Sequence, residues 1–316
     1  MTSNRLLGKF IVTQSPLSHR GHPLGIAIAF CIGLGMAGAR ADEQVQPGKY
    51  LFQAAGCLAC HTDSKHQGAM LAGGRALATP FGTFYTPNIT PDLTYGIGQW
   101  SEEDFVRALT EGVSPKGAHY YPVFPYTSYT RMSRADLHAL WIYLRSVPPV
   151  AQPNKAHDTS WYLTRIGNWA WQRLFFKPGS WEPQAGESDA WNRGAYLANA
   201  LAHCGECHTP RNALGAPKVE MAYAGTSEGP EGARVPNITS DPDTGIGRWT
   251  QDELLDFLKE GALPDGDYTG GLMAEVVDNG LKRLSAEDAA ALATYIASLP
   301  PIHHEVAHHH EVAEKH

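Results

Sequence analysis

The sequence predicts an all-α protein built as two tandem helical domains joined by an aromatic-rich helical linker. Three observations predict it. A Cys-x-x-Cys-His motif occurs twice, at Cys57-Leu58-Ala59-Cys60-His61 and at Cys204-Gly205-Glu206-Cys207-His208. The surroundings of the two motifs recur in the same order, offset by 147 residues at the motifs, 149 at two tryptophans and 152 at the last helices, which marks an internal duplication. Capping residues and 3.6-residue apolar periodicity fall at matched points of both halves. The reading is an export signal over 1–41, a first domain over 42–150, a linker over 151–190, a second domain over 191–301 and a His-rich tail over 302–316.

The first 41 residues carry Arg5, Lys9, Arg20 and Arg40 and no acid. A 13-residue apolar run over 24–36, which contains Cys31, is short of the roughly 20 residues a bilayer span needs. It ends near Ala39-Arg40-Ala41, a small-x-small cleavage pattern before Asp42. No later stretch is long and apolar enough to span a bilayer. Without those four bases, 21 basic and 32 acidic residues remain, a net charge of −11 with His neutral. That balance argues against nucleic acid and suits a basic docking patch on a protein partner.

In the first domain, residues 48–56 suit a short helix that packs an aromatic side chain on a partner helix. Residues 66–85, rich in Gly, Thr and Ala, read as loop. Pro87-Asn88-Ile89-Thr90 and Gly96-Ile97-Gly98-Gln99-Trp100 follow. Ser101 is an N-cap with acids in the first turn, and its helix runs through Phe105, Val106 and Leu109 to a C-cap at Gly112. A Tyr/Pro-rich loop over 120–129 leads to Met132, and Ser133 caps a last helix over 135–147, ended by Pro148-Pro149. The second domain repeats this with Pro236-Asn237-Ile238-Thr239, Gly245-Ile246-Gly247-Arg248-Trp249, a helix from Thr250 to Gly261, and a helix over 286–299 capped by Ser285. The linker centre over 161–176 reads as a helix and is too aromatic for a flexible spacer; it packs the domains together or docks a partner. The tail, with histidines at 303, 304, 308, 309, 310 and 316, reads as a solvated end with metal-binding composition.

The motif spacing is that of a covalently attached c-type haem. Cys57 and Cys60, and Cys204 and Cys207, would bond the two vinyl-derived carbons of one porphyrin edge, leaving His61 and His208 beneath the ring as iron ligands. The cofactors expected are therefore two covalently bound haem c groups. Four cysteines are thus used, which leaves no structural disulfide. Of the methionines after residue 41, Met132 and Met273 lie in the loop before the last helix, where a distal ligand arrives; Met70 and Met221 follow the motifs too closely. The last helices align Met132 with Leu284 rather than with Met273, so the two distal loops differ in path, and His119 is a rival ligand in the first half. Trp100 and Trp249 hold matched positions, and an indole N–H suits either a haem propionate or any core acceptor. Asn88 and Asn237 are expected to brace the same edge. His203 reads as a surface or packing residue. A zinc site would need four ligands close together, and the His directly after each second Cys argues against it.

These residues also carry a resemblance. TPNITPD at 86–92, GIGQW at 96–100, YPVFPY at 121–126 and Met132, with WNRGAYL at 191–197 and HCGECHTPRN at 203–212, resemble the cytochrome c subunits of membrane-associated bacterial alcohol, gluconate and related sugar dehydrogenases. The resemblance spans about residues 45–300 and implies two tandem class I cytochrome c domains. It implies a periplasmic electron-transfer subunit with redox protein partners: a dehydrogenase subunit as donor, and a quinone, an oxidase or another cytochrome as acceptor. Such subunits often have a third haem domain and a C-terminal anchor, where this sequence has a polar His-rich tail; membrane association is expected to be peripheral or through a partner. The alternative is a haem enzyme such as a dihaem peroxidase or thiosulfate dehydrogenase, which would require an open or exchangeable haem position.

Overall fold

Each half begins on a helix that leads into its Cys-x-x-Cys-His motif. The computed structural model describes residues 44–306; the expected signal, with Cys31, and the histidines at 308, 309, 310 and 316 lie outside the described residues. In the first half, α1 covers 44–54 and α2 is the motif itself, Cys57–His61. Then come α3 (Glu102–Glu111), the single turn α4 (Tyr126–Tyr129) and α5 (Arg134–Ser146). The linker contributes α6 (Arg165–Phe175). The second half has α7 (Asp189–Tyr196), continued by a π-helical turn over Leu197–Leu201, then α8 (Gly205–His208), α9 (Gln251–Glu260), α10 (Gly271–Asn279) and α11 (Ala286–Ala297).

The expected caps hold the helix ends. Ser101 with Asp104, and Thr250 with Glu253, form reciprocal capping boxes, which satisfy N–H groups that the first turn leaves unpaired. Ser133 accepts from Asp136 N, and Ser285 from Asp288 N. Gly112 and Gly261 close α3 and α9 in the left-handed conformation.

In each half the first helix crosses the last at a glycine. A Cβ on Gly48 would stand 2.0 Å from Ala139 O, and one on Gly194 would stand 1.9 Å from Ala291 O. The backbones touch there, and only hydrogen fits. The aromatic contact expected beside the crossing is Phe52 against Tyr143, with centroids 4.9 Å apart.

The halves cap each other reciprocally. Tyr50 of α1 donates to Asp288 Oδ2 at 2.5 Å and accepts from Ser285 N at 3.3 Å, at the start of α11. Tyr196 of α7 donates to Asp136 and accepts from Ser133 N at 3.0 Å, at the start of α5. This is the exchange expected of an isologous interface, here within one chain. One apolar core runs through both halves, from Leu51 and Phe52 to Leu292 and Ile296.

Three features depart from the sequence reading. The stretch read as loop contains a hairpin, β1 (Ala76–Thr79) and β2 (Gly82–Tyr85), and linker residues Asp158–Thr159 add an antiparallel β3 beside β2. The chain is therefore mostly helical with a small three-stranded sheet. The strands are too short and too small-residued to show a clear alternation, and β3 comes from more than 70 residues away. The second distal loop is a helix, α10, where the first half has only the turn α4. The start of the tail is docked rather than solvated: His304 Nδ1 donates to Ala224 O at 2.8 Å, and Val306 O accepts from Arg234 Nε at 3.1 Å.

Candidate functional site

Both motif histidines are held alike. His61 Nδ1 lies 2.8 Å from Pro87 O, and His208 Nδ1 lies 2.8 Å from Pro236 O. A proline carbonyl can only accept, so each Nδ1 carries the hydrogen and each Nε2 keeps its lone pair. Burial pushes both imidazoles below their usual range, against the smaller opposite pull of that hydrogen bond. The result is two neutral, oriented rings, which a metal ligand requires.

The proline loops are fixed in turn. Gly73 N donates to His61 O at 2.8 Å, and Gly225 N to His208 O at 2.7 Å. Both glycines are left-handed, with φ of 74° and 79°. A Cβ on Gly73 would lie 2.5 Å from Pro87 C, and one on Gly225 would lie 2.6 Å from Pro236 C. Sequence reasoning passed over both; their signal was Leu71-Ala72-Gly73 matched by Tyr223-Ala224-Gly225 at the repeat offset of 152.

Asn88 and Asn237 complete the support. Asn88 Nδ2 donates to Val150 O at 2.7 Å and Gln152 O at 3.2 Å, and its Oδ1 accepts from Thr90 N and Oγ1. Asn237 Nδ2 donates to Ile302 O at 2.8 Å and Thr244 Oγ1 at 3.0 Å, and its Oδ1 accepts from Thr239 N and Oγ1. Both amides are spent inside the protein, only 2% exposed. They tie each proline loop to the chain leaving the last helix, rather than offer a donor to a bound group.

Cys57, Cys204 and Cys207 are partly buried, and Cys60 is exposed near Arg75, Glu231 and Glu275. Burial pushes Cys57 and Cys204 up to about 12 and Cys207 up to about 11. They are neutral thiols, unlike the thiolates of a zinc site, and among the described residues no three His, Cys, Asp or Glu side chains gather as a metal cluster. The two motifs are neighbours, close enough that ionising Cys60 would push Cys207 further up.

No family model matches the chain. It is 40% identical over 260 residues to a diheme cytochrome c-type protein of Cereibacter sphaeroides, covering 81% of this chain and 86% of that one. The chain belongs to the dihaem c-type cytochromes. It is also 40% identical to the fructose dehydrogenase cytochrome subunit of Gluconobacter japonicus, over 81% of this chain and 52% of that subunit. With the gluconate 2-dehydrogenase cytochrome c subunit of Pantoea cypripedii the identity is 40%, over 86% and 64%. The chain thus spans about half to two thirds of the length of those two subunits.

The residues of this cytochrome fit the group its family name implies. Each half offers a neutral thiol pair, an oriented imidazole and an indole with its hydrogen free. Trp171 and Trp191 donate to Leu214 O and Ser298 Oγ, whereas the matched Trp100 and Trp249 have no protein acceptor for their N–H among the described residues. Met132 is buried at 2% exposure directly before Ser133, the position Leu284 holds before Ser285. Met273 is half-buried on α10, so the methionines come from different elements, as the sequence alignment required. Met70 is exposed, and Met221 ends a short 3₁₀ turn. The ring of His119 is turned onto the linker, with Nδ1 bonded to Gln172 Oε1.

The seam between the motifs carries further residues. His203 packs edge-on to Tyr129 at 5.5 Å, at a left-handed φ of 41° where its twin is Gly56. Glu206, inside the second motif, accepts from Thr127 Oγ1 at 2.5 Å, Ser128 Oγ at 2.8 Å and Arg211 Nη2 at 2.5 Å. Buried Arg75 donates to Ala59 O in the first motif and to Glu275 on α10, each at 2.7 Å. The helix that bears Met273 is therefore tied to the opposite half's motif.

Proposed function

We propose that this cytochrome carries two covalent haem c groups in tandem class I cytochrome c domains, and passes electrons in the periplasm from a partner dehydrogenase to a respiratory acceptor. The observation that carries this reading is the duplicated His–Pro tether, His61 to Pro87 and His208 to Pro236, in two neighbouring motifs. Cys57, Cys60 and His61 would hold one group with Met132, and Cys204, Cys207 and His208 the other with Met273. The group supplies a one-electron carrier whose potential a thioether ligand raises. The chain's own residues orient the ligand rings and keep their Nε2 atoms unprotonated. Burial of Met132 directly before Ser133 supports it as the distal ligand, and His119, whose Nδ1 is bonded to Gln172 Oε1, is the rival. Relatives named as cytochrome subunits of fructose and gluconate dehydrogenases support the donor class, and the acceptor is a quinone, an oxidase or another cytochrome.

The test is the ferric optical spectrum in the thioether-to-iron charge-transfer region. Met132→Ala and Met273→Ala should each remove one of two such signals. An unchanged spectrum in Met132→Ala would make His119 the ligand, and a high-spin haem in the parent would favour an enzyme over a carrier.

A further inference from the structure

Helix α6 is polar inside and apolar outside. Its buried residues are Asn168 and Gln172, one turn apart. Asn168 Nδ2 donates to His119 O at 2.7 Å, and Gln172 Nε2 donates to Gly112 O at 3.2 Å. Hydrogen bonds anchor this face of the helix, and Ile166, Trp169 and Leu174 of the helix, with Trp161 and Tyr162 just before it, project to solvent. Trp161 is 91% exposed, Ile166 78% and Leu174 72%; Tyr162 and Trp169 are about half exposed. Leu214 joins them, its carbonyl accepting from Trp171 Nε1 at 2.9 Å. An exposed apolar patch of this kind marks a contact surface.

Charge identifies the contact. Residues 159–181 hold Arg165, Arg173 and Lys177, all exposed, and no acid, in a chain whose net charge beyond residue 41 is −11 by the count above. The Arg173 guanidinium lies 5.6 Å over the Trp169 ring. A second copy of the chain would set these cations against one another. Protein interfaces share the Trp, Tyr and Arg of this face but are depleted in lysine, and Lys177 belongs to the basic group here. Indole and phenol rings among Arg and Lys, on an 11-residue helix about 16 Å long, match the headgroup layer of an anionic bilayer. There the cations meet phosphate and the rings settle at the interface.

We infer that the α6 face docks on an anionic phospholipid surface and holds the cytochrome beside a membrane. Among the described residues no helix is long and apolar enough to cross one. The inference is independent of the electron-transfer reading, because lipid binding is measurable in either redox state.

The test is co-sedimentation of the haem-loaded protein with phosphatidylcholine vesicles, with and without one quarter phosphatidylglycerol, at physiological salt. The parent should partition at least about tenfold better onto the anionic vesicles. Replacing Arg165, Arg173 and Lys177 together by Gln should lower that partitioning by on the order of 100-fold, from about fivefold per cation. The triple variant Trp161→Ser, Ile166→Ser, Leu174→Ser should lower it at least about tenfold, with the haem spectrum unchanged. Trp161→Ser alone, at the most exposed position, is the second variant should the triple one fail to fold; it should lower partitioning about threefold. Equal partitioning of parent and variants, or none by the parent, overturns the inference. So do variants that bind vesicles normally but accept electrons from a dehydrogenase more slowly, which would make this a protein-docking face.

Discussion

Gly225→Ala isolates the device that orients His208. The added Cβ would sit 2.5 Å from Asn237 N and 2.6 Å from Pro236 C, all backbone atoms that cannot swing away. A tolerable approach is above about 3 Å, so the proline loop must retreat by roughly half an ångström or more. The His208 Nδ1–Pro236 O bond, now 2.8 Å, would stretch towards the limit of about 3.5 Å where a hydrogen bond ends. Losing it costs about 1 kcal/mol, and holding alanine at φ 79° costs about 1–2 kcal/mol more. The sum, about 2–3 kcal/mol, lowers Tm by about 3–5 °C for a chain of this size. The freed imidazole also becomes a weaker donor, so the potential of the second haem should rise while that of the first stays put. Calorimetry and a spectroelectrochemical titration read both. Gly73→Ala should give the mirror result at the first haem. An unchanged Tm with both potentials unmoved would refute the reasoning that the glycine sets the histidine.

Tyr196→Phe strands Ser133 N and Asp136 and should cost about 2 kcal/mol in thermal unfolding. Tyr50→Phe should cost about 1 kcal/mol, because Asp288 keeps the Arg193 fork at 2.6 and 2.7 Å. Burial pushes the Asp288 carboxyl up, but its hydrogen bonds from Arg193 and Tyr50 outweigh that and hold it below the usual carboxylate range. A carboxyl whose folded pKa is depressed stabilises the fold above its unfolded pKa of about 3.9, and that stability is lost as pH falls through the folded value. Parent and Asp288→Asn should therefore differ in Tm at neutral pH and converge as the pH drops below about 4. Trp100→Phe should lower one potential by removing a donor from an anionic propionate, with little change in Tm; two unmoved potentials would return Trp100 to a packing role.

Much of the local structure was legible because local chemistry writes it. Ser101, Ser133, Thr250 and Ser285 cap where their side chains can reach the third N–H onward, and Gly112 and Gly261 end helices where a left-handed residue is needed. The duplication was legible because both copies keep these signals in order. Asn88 and Asn237 were found without their partners: sequence shows a buried-type polar residue at a matched position, not the carbonyls of Val150 and Ile302 that its amide meets more than 60 residues later. The hairpin was missed because four-residue strands carry too little pattern, and its third strand is supplied by the linker.

By itself the sequence determined the two motifs, the helices that flank them and the family to which they belong, all of which rest on contacts within a few residues. Only the tertiary structure decided how the histidines are held, that each half caps the other through Tyr50 and Tyr196, and that the linker helix turns Asn168 and Gln172 inward and Ile166 and Leu174 out. Those features depend on which distant backbone groups meet, and a carbonyl that accepts from a side chain leaves no mark on the sequence that bears it.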